Sequence, residues 1–359
     1  MRWELSAEQA DFRSVLADWL AQTCPAETVR DWLDAGDHGT FEERFVGEGW
    51  FGVGAPEELG GEGGGLVELA LAAEELGRSA APSSAWLGSM LALPALAALP
   101  EAAKALLADG VTTVLAVPAG QVPGSGSGVT TDGASLTGRI PTVLAASRAR
   151  RLVVPVNGAL HLVEVDQPGV RITPRALTDR SRTVADVELD GARALAIPLD
   201  GAESAQALEL AARRAAILVA ADALGAMERM LDTTVEYTLQ RKQFGVPIGS
   251  FQAVKHAAAE MLVKVESARS ILYLAAASVG ADEGDAPVLA AAAKAQICAA
   301  ASAAADSALT LHGAIGYTWE HDLQLYYKRA KLDVELFGSP GLWNDRLADR
   351  LALVPTAQG

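Results

Sequence analysis

Apolar residues recur at intervals of three and four through "AEQADFRSVLADWLAQ" and again through "VELALAAEELGRSAAPSSAWLGSMLALPALAALPEAAKALLA". Residues 1–110 therefore predict a small all-α domain, interrupted by the glycine-rich connection "GVGAPEELGGEGGG". The pattern then changes. Over residues 111–200 short runs of Val, Leu and Thr, such as "VTTVLAVPA", "RRLVVPV", "ALHLVEVD" and "TVADVELDG", lie between Gly, Pro, Asp and Asn, which predicts strands of a compact β domain. Helical spacing returns in residues 201–359, as four long runs near 203–240, 251–280, 286–312 and 319–353. Their Ala-rich faces allow close approach of helices, so an antiparallel four-helix bundle is expected.

Composition narrows what such a chain can do. Its 359 residues carry a formal charge of -16, which argues against a nucleic-acid partner, because affinity for phosphates needs a basic surface. The start is polar and no stretch of about twenty residues lacks polar or charged groups, so a cytoplasmic protein with no membrane span is expected. Cys24 and Cys298 are far apart and read as buried thiols, and the five histidines show no metal-binding spacing. "GSGSG" at 124–128 lacks the strand and helix context of a dinucleotide loop and reads as a β-turn.

The most informative stretch is "RKQFGVPIGSFQ", residues 241–252, between two helical runs. Arg241 offers the planar donors that suit a pyrophosphate, Phe244 a face for an aromatic system, and Gln252 an amide for a base edge. Gly245 and Gly249 let the backbone turn and come close. Taken alone, the same residues suit a plain helix connection with a solvated cation and a core phenylalanine.

With its neighbours this turn resembles the acyl-CoA dehydrogenase family of flavoproteins along nearly the whole chain. "GWFGVGAPEELGGEGGG" and "AAEELGRS" are similar to the family's Pro-Glu-Glu-x-Gly-Gly turn and following helix. "QRKQFGVPIGSFQAVKHAAAEM" is similar to its Arg-x-x-Phe-Gly … Phe-Gln signature, and "LHGAIGYTWEHDLQLYYKRAK" to its Gly-Gly-x-Gly-Tyr segment. The resemblance implies three parts: an N-terminal helical domain, a small β-barrel-like domain and a C-terminal four-helix bundle. It implies FAD as cofactor, an acyl-CoA as substrate, and dimers or tetramers. It also implies that Arg241, Gln243, Phe244, Gln252, Gly313 and Gly316 contact the adenine and pyrophosphate of a flavin held by the neighbouring subunit. Thr310 replaces a glutamine usual in that contact.

The chain departs from the family where the chemistry is done. Dehydrogenation next to a thioester needs a carboxylate base in a fairly dry pocket. Aligned without gaps from Gly313, the usual glutamate position falls on Phe337, and the alternative one, counted back from Arg241, falls on Ala215 with Ala216 after it. Glu335, two residues from Phe337, points elsewhere in either a helix or a strand and reads as an exposed charge. In the β domain "LAVPAGQVPGSGSG" and "RIPTVLAAS" replace the segments that contact the flavin ring, with Thr142 at a tryptophan position and Leu144 at a hydroxyl position.

The losses thus fall on the half-site for the chain's own flavin, and the half-site given to a neighbour is kept. The resemblance then implies a subunit with no catalytic residue of its own, paired with a homologous catalytic subunit, as in bacterial heterotetramers of the family, several of which act on steroid side-chain thioesters. The alternatives are a homomeric flavoenzyme with a displaced base and a flavin-free scaffold. Tyr326, Tyr327, Trp319 and Trp343 are candidates for either core or subunit interface.

Overall fold

A computed structural model describes residues 4–351 apart from Ser125 and Ser127. The N-terminal part holds helices α1 (Ala7–Thr23), α2 (Ala26–Ala35), α3 (Gly39–Gly47), α4 (Leu66–Arg78), α5 (Ser84–Leu96) and α6 (Pro100–Leu107). A capping box starts α1: the Ser6 hydroxyl accepts from the Gln9 N–H, and the Gln9 side chain accepts from the Ser6 N–H. Between α3 and α4 lies the glycine-rich connection.

Eight strands follow: β1 (Thr113–Leu115), β2 (Val129–Thr131), β3 (Ser135–Leu144), β4 (Arg151–Val156), β5 (Ala159–Glu164), β6 (Val170–Arg175), β7 (Val184–Arg193) and β8 (Leu195–Ala196). They form two four-stranded sheets, ordered β1-β4-β5-β8 and β2-β3-β7-β6. Only β1 and β4 run parallel; the other pairs are antiparallel. A bridge between Pro118 and Val143 links the segment after β1 to β3 in the second sheet, which gives the domain its barrel-like closure. Ser125 and Ser127 of the "GSGSG" stretch lie outside the described residues, and the next element is the strand β2 rather than a helix.

The C-terminal part is built on three long helices, α7 (Gly201–Gln240), α8 (Gln252–Gly280) and α9 (Ala286–His312). Asp200 caps α7 by accepting from the N–H groups of Ala202 and Glu203. Ala290, Ala293, Ala301, Ala304, Ala305 and Ala308 bury one side of α9 against its neighbours, so its length and apolar character serve the bundle core. The helical part in front docks on this bundle through α4 and α7, whose backbones touch. A Cβ on Gly225 would lie 1.8 Å from the Glu74 carbonyl oxygen, and one on Gly77 would lie 2.1 Å from that of Asp222. No side chain fits at either crossing.

The fourth helical run differs from expectation. Instead of one helix over 319–353, α10 (Leu323–Glu335) and α11 (Pro340–Ala348) are separated by a buried corner. Phe337 and Gly338 take φ of +55° and +103°, and Pro340 cannot continue the preceding helix. Lys294 on α9, fully buried, donates to the carbonyls of Asp333 (2.8 Å) and Gly338 (3.1 Å), which satisfies the end of α10. Residues 352 and 353 of the expected run lie outside the described residues.

Candidate functional site

Residues 241–252 form a projecting hairpin between α7 and α8. Strands β9 (Lys242–Gln243) and β10 (Val246–Pro247) pair antiparallel around the two-residue turn Phe244-Gly245. Both turn residues have positive φ, +52° and +83°, the combination a tight two-residue hairpin requires. Glycine adopts it freely; phenylalanine does so at a cost of about 1 kcal/mol. Yet Phe244 is 93% exposed, and the ring it meets, edge-on, is that of Phe251, 6.2 Å away between centroids. Arg241 caps α7 through its backbone, and its exposed guanidinium has no ion pair among the described residues. Gln243 is exposed, as is Gln252, the first residue of α8. Gly249 lets the turn lie on α7, since a Cβ there would sit 3.1 Å from the Thr238 carbonyl.

The Gly313–Gly316 segment lies near the same end of α7. Tyr237 stacks on His312 at 4.5 Å, and His321 meets His312 edge-on at 4.9 Å. Gly313, at φ +63°, has open space where a Cβ would be; Gly316 is packed, with a Cβ position 3.0 Å from the His312 side chain. Thr310 is exposed and its hydroxyl donates back to the Asp306 carbonyl, 2.8 Å away. Around this end Ile315, Tyr317, Phe244, Phe251 and Leu239 all leave apolar surface uncovered.

The second region is the corner after α10. Phe337 is 2% exposed, and its N–H donates to the carbonyl of Ala119 at 2.6 Å. Its own carbonyl accepts from the Trp343 indole at 3.0 Å, so both backbone groups are used inside the chain. The Ala119 N–H donates to the Thr142 carbonyl at 3.0 Å, and Thr142 itself is held at φ +50° with its N–H donating to Asp186. Arg175 and Arg139 keep the Asp186 carboxyl well below the usual carboxylate range. The segment after β1, β3 and the Phe337 corner are thereby joined directly. Ala215 and Ala216 are buried, Leu144 is in the core, and Glu335 is exposed at the end of α10.

Beside this corner a cavity of about 1080 Å³ opens between the β-domain loops, the start of α7 and α11. Among its described lining residues the one carboxylate is Glu209, which is paired with Arg346 at 2.9 Å and Arg350 at 3.4 Å. No unpaired carboxylate there is placed to act as a base.

A set of buried charges behind the corner escaped the sequence reading. Arg329 on α10, fully buried, donates to Asp222 of α7 at 2.6 and 2.7 Å and to the Ala81 carbonyl at 2.8 Å. Arg182, just before β7, donates to the same carboxylate at 2.7 Å. Burial works against the Asp222 charge, but the two arginines outweigh it and hold its carboxyl below the ordinary range. Burial and the nearby Asp222 push the Asp333 carboxyl the other way, well above the ordinary carboxylate range. One cluster thus ties the helical, β and bundle parts together. Its signal was Asp222 standing alone in the apolar run "AAILVAADALGAM".

The aromatic candidates divide. Trp343 and Tyr326 are core residues, and Tyr327 is half-buried. Trp319 is exposed, with the Lys328 ammonium 3.2 Å above its ring. Cys24 and Cys298 are both buried and free, and burial pushes their thiols up to about 12 and about 11.

Comparison with known proteins adds names to this geometry. Residues 6–106 match the family model of the acyl-CoA dehydrogenase N-terminal domain, and residues 200–352 that of the C-terminal domain. The acyl-CoA dehydrogenase IpdE2 of Mycobacterium tuberculosis is 37% identical over 288 residues, 79% of this chain and 78% of that protein. FadE34 of the same organism is 30% identical over 95% of this chain, which spans only 47% of that longer protein. Among solved structures, the ChsE4-ChsE5 complex of M. tuberculosis superimposes with a TM-score of 0.86 at 26% identity, over 99% of this chain and 100% of the matched one. A steroid acyl-CoA dehydrogenase variant, Tcur3481-Tcur3483, gives 0.83 at 26% identity over 95% and 97%.

Proposed function

This chain belongs to the acyl-CoA dehydrogenase family, and within that FAD-dependent family we propose a divided role: it is a subunit that supports flavin binding in a complex and leaves the proton abstraction to a homologous catalytic subunit. The observation that carries the proposal is the contrast between an exposed Arg241–Phe244 hairpin and a filled, hydrogen-bonded Phe337 corner. Arg241 suits the pyrophosphate, and Phe244, Gln243 and Gln252 suit the adenine end, with Gly313 leaving room beside them. These residues fit the part of FAD that a neighbouring subunit holds. At the position matched to the family's flavin ring, Ala119 and Phe337 are bonded to each other, and the one carboxylate among the described residues lining the adjacent cavity, Glu209, is already paired.

When bound in the complex, FAD supplies the hydride acceptor for α,β-dehydrogenation of an acyl-CoA. This chain's residues bind and orient its nucleotide end; Ala215 and Phe337 move no proton. Two relatives support a two-component assembly. ChsE4-ChsE5 is a complex of two differently named chains, and FadE34 is about twice as long as the region it shares with this chain, long enough for two such units. The steroid dehydrogenase among the structural relatives supports a bulky, steroid-derived acyl group.

The test is the flavin-to-protein ratio, read from absorbance at about 450 nm, for the chain alone and co-purified with a homologous dehydrogenase encoded beside it. A colourless chain that enters a yellow complex with about one FAD per two subunits is the expected result. Full flavin occupancy of the chain alone would overturn the divided role and favour a homomeric flavoenzyme.

A further inference from the structure

Arg214 on α7 lines a second cavity, of about 400 Å³, between the glycine-rich connection, α7 and the end of α8. Leu66, Leu210, Val279 and Pro56 give this cavity apolar walls, and Gln206 adds an amide. The arginine sits there without a counter-charge. Among the described residues its one hydrogen bond is a long one, 3.4 Å from Nη1 to the carbonyl of Met90. The two carboxylates on the rim are taken by other residues: Asp282 accepts from Arg213 at 3.0 Å, and Glu209 pairs with Arg213, Arg346 and Arg350.

Other arginines turned toward the interior have carboxylates: the buried Arg329 and Arg182 share Asp222, and the partly buried Arg13 at the α1–α4 contact donates to Glu74 and Glu75. A guanidinium withdrawn from water without such a partner is costly, and a matching anion recovers the cost. Burial alone pulls the Arg214 pKa down to about 10, which fits a cation lacking its counter-ion. Apolar walls around a single planar donor define the ligand further. Bare phosphate gains nothing from Leu66, Leu210 and Val279, whereas a carboxylate on a hydrocarbon stem satisfies both the charge and the walls.

We propose that this cavity binds a small organic carboxylate, with its head on the Arg214 guanidinium and its apolar stem against Leu66, Leu210 and Val279. The site is separate from the flavin hairpin and does not depend on the divided role, so either reading can fail without the other. Calorimetric titration of the purified full-length chain with hexanoate, hexanamide and inorganic phosphate tests it directly. Saturable hexanoate binding, about tenfold tighter than hexanamide or phosphate, is expected, with a similar loss in Arg214→Met and partial retention in Arg214→Lys. Equal affinity for hexanoate and hexanamide would overturn the charge recognition, and equal affinity for phosphate would overturn the organic stem. Should Arg214→Met fail to fold, the comparison of the three ligands on the unaltered chain still decides. In a folded Arg214→Met chain, undiminished hexanoate binding would remove Arg214 from the site.

Discussion

Two phenylalanines in this chain sit in the same strained conformation, each followed by a glycine, and their surroundings are opposite. Phe244 at φ +52° is 93% exposed; Phe337 at φ +55° is 2% exposed. At Phe337 the strain is offset locally by a buried ring, a bond from its N–H to Ala119 and a bond to its carbonyl from Trp343. At Phe244 no such burial offsets it among the described residues, where its ring meets Phe251 edge-on. A costly backbone that packing explains is architecture, and one that packing leaves unexplained points to something outside the chain. On the proposed divided role, this difference is a base position turned into core and a hairpin kept free for contact.

The largest effect expected from this comparison comes from forcing chemistry back into the corner. Phe337→Glu puts a carboxylate into a dry, filled site, so urea unfolding should show a loss of about 3 kcal/mol or more, and the complex should gain no dehydrogenase turnover. Recovery of activity without loss of stability would mean that the corner is a latent active site after all.

At the hairpin the expected pattern reverses. If Arg241 holds the flavin's pyrophosphate as proposed, Arg241→Ala removes that charged contact, so the complex should hold FAD about tenfold more weakly while the isolated chain melts as before. If flavin retention is unchanged, the exposed cation is a solvated charge and the donated half-site is lost as an explanation.

The smallest effect separates strain from recognition at one residue. Phe244→Gly relieves the left-handed backbone but adds freedom to the unfolded chain, leaving a net gain of about 0.5 kcal/mol in denaturant unfolding. Flavin retention in the complex should fall in the same variant. Stability and binding moving in opposite directions is the outcome that sharpens the contrast with Phe337, where any truncation of the ring leaves a cavity and costs stability.

Much of the fold was legible because it rests on local rules. The three-part order, the strands around "RRLVVPV" and "ALHLVEVD", and the long helices α7, α8 and α9 follow from spacing that repeats along the chain. The fourth run was misread as one helix although Gly338 and Pro340 marked the break, because helical spacing resumes at once in α11. The hairpin's residues were legible as candidates, since Arg, Phe, Gly and Gln stand within twelve positions. Their exposure was not: the same string suits a core phenylalanine, and whether Phe244 is covered depends on segments far away in sequence.

By itself, then, the sequence determined which residue types stand where: helical and strand periodicity, the absence of a carboxylate at 215 and 337, and the Arg–Phe–Gly turn. Tertiary structure alone decided how those residues are used. It joined Phe337 to Ala119, gathered Arg182 of the β part with Asp222 and Arg329 of the bundle into one ion cluster, and left Arg214 beside a cavity whose two rim carboxylates pair with other arginines. The physical reason is that periodicity is fixed by bonds between near neighbours. Burial, pairing and strain depend on what the folded chain brings alongside.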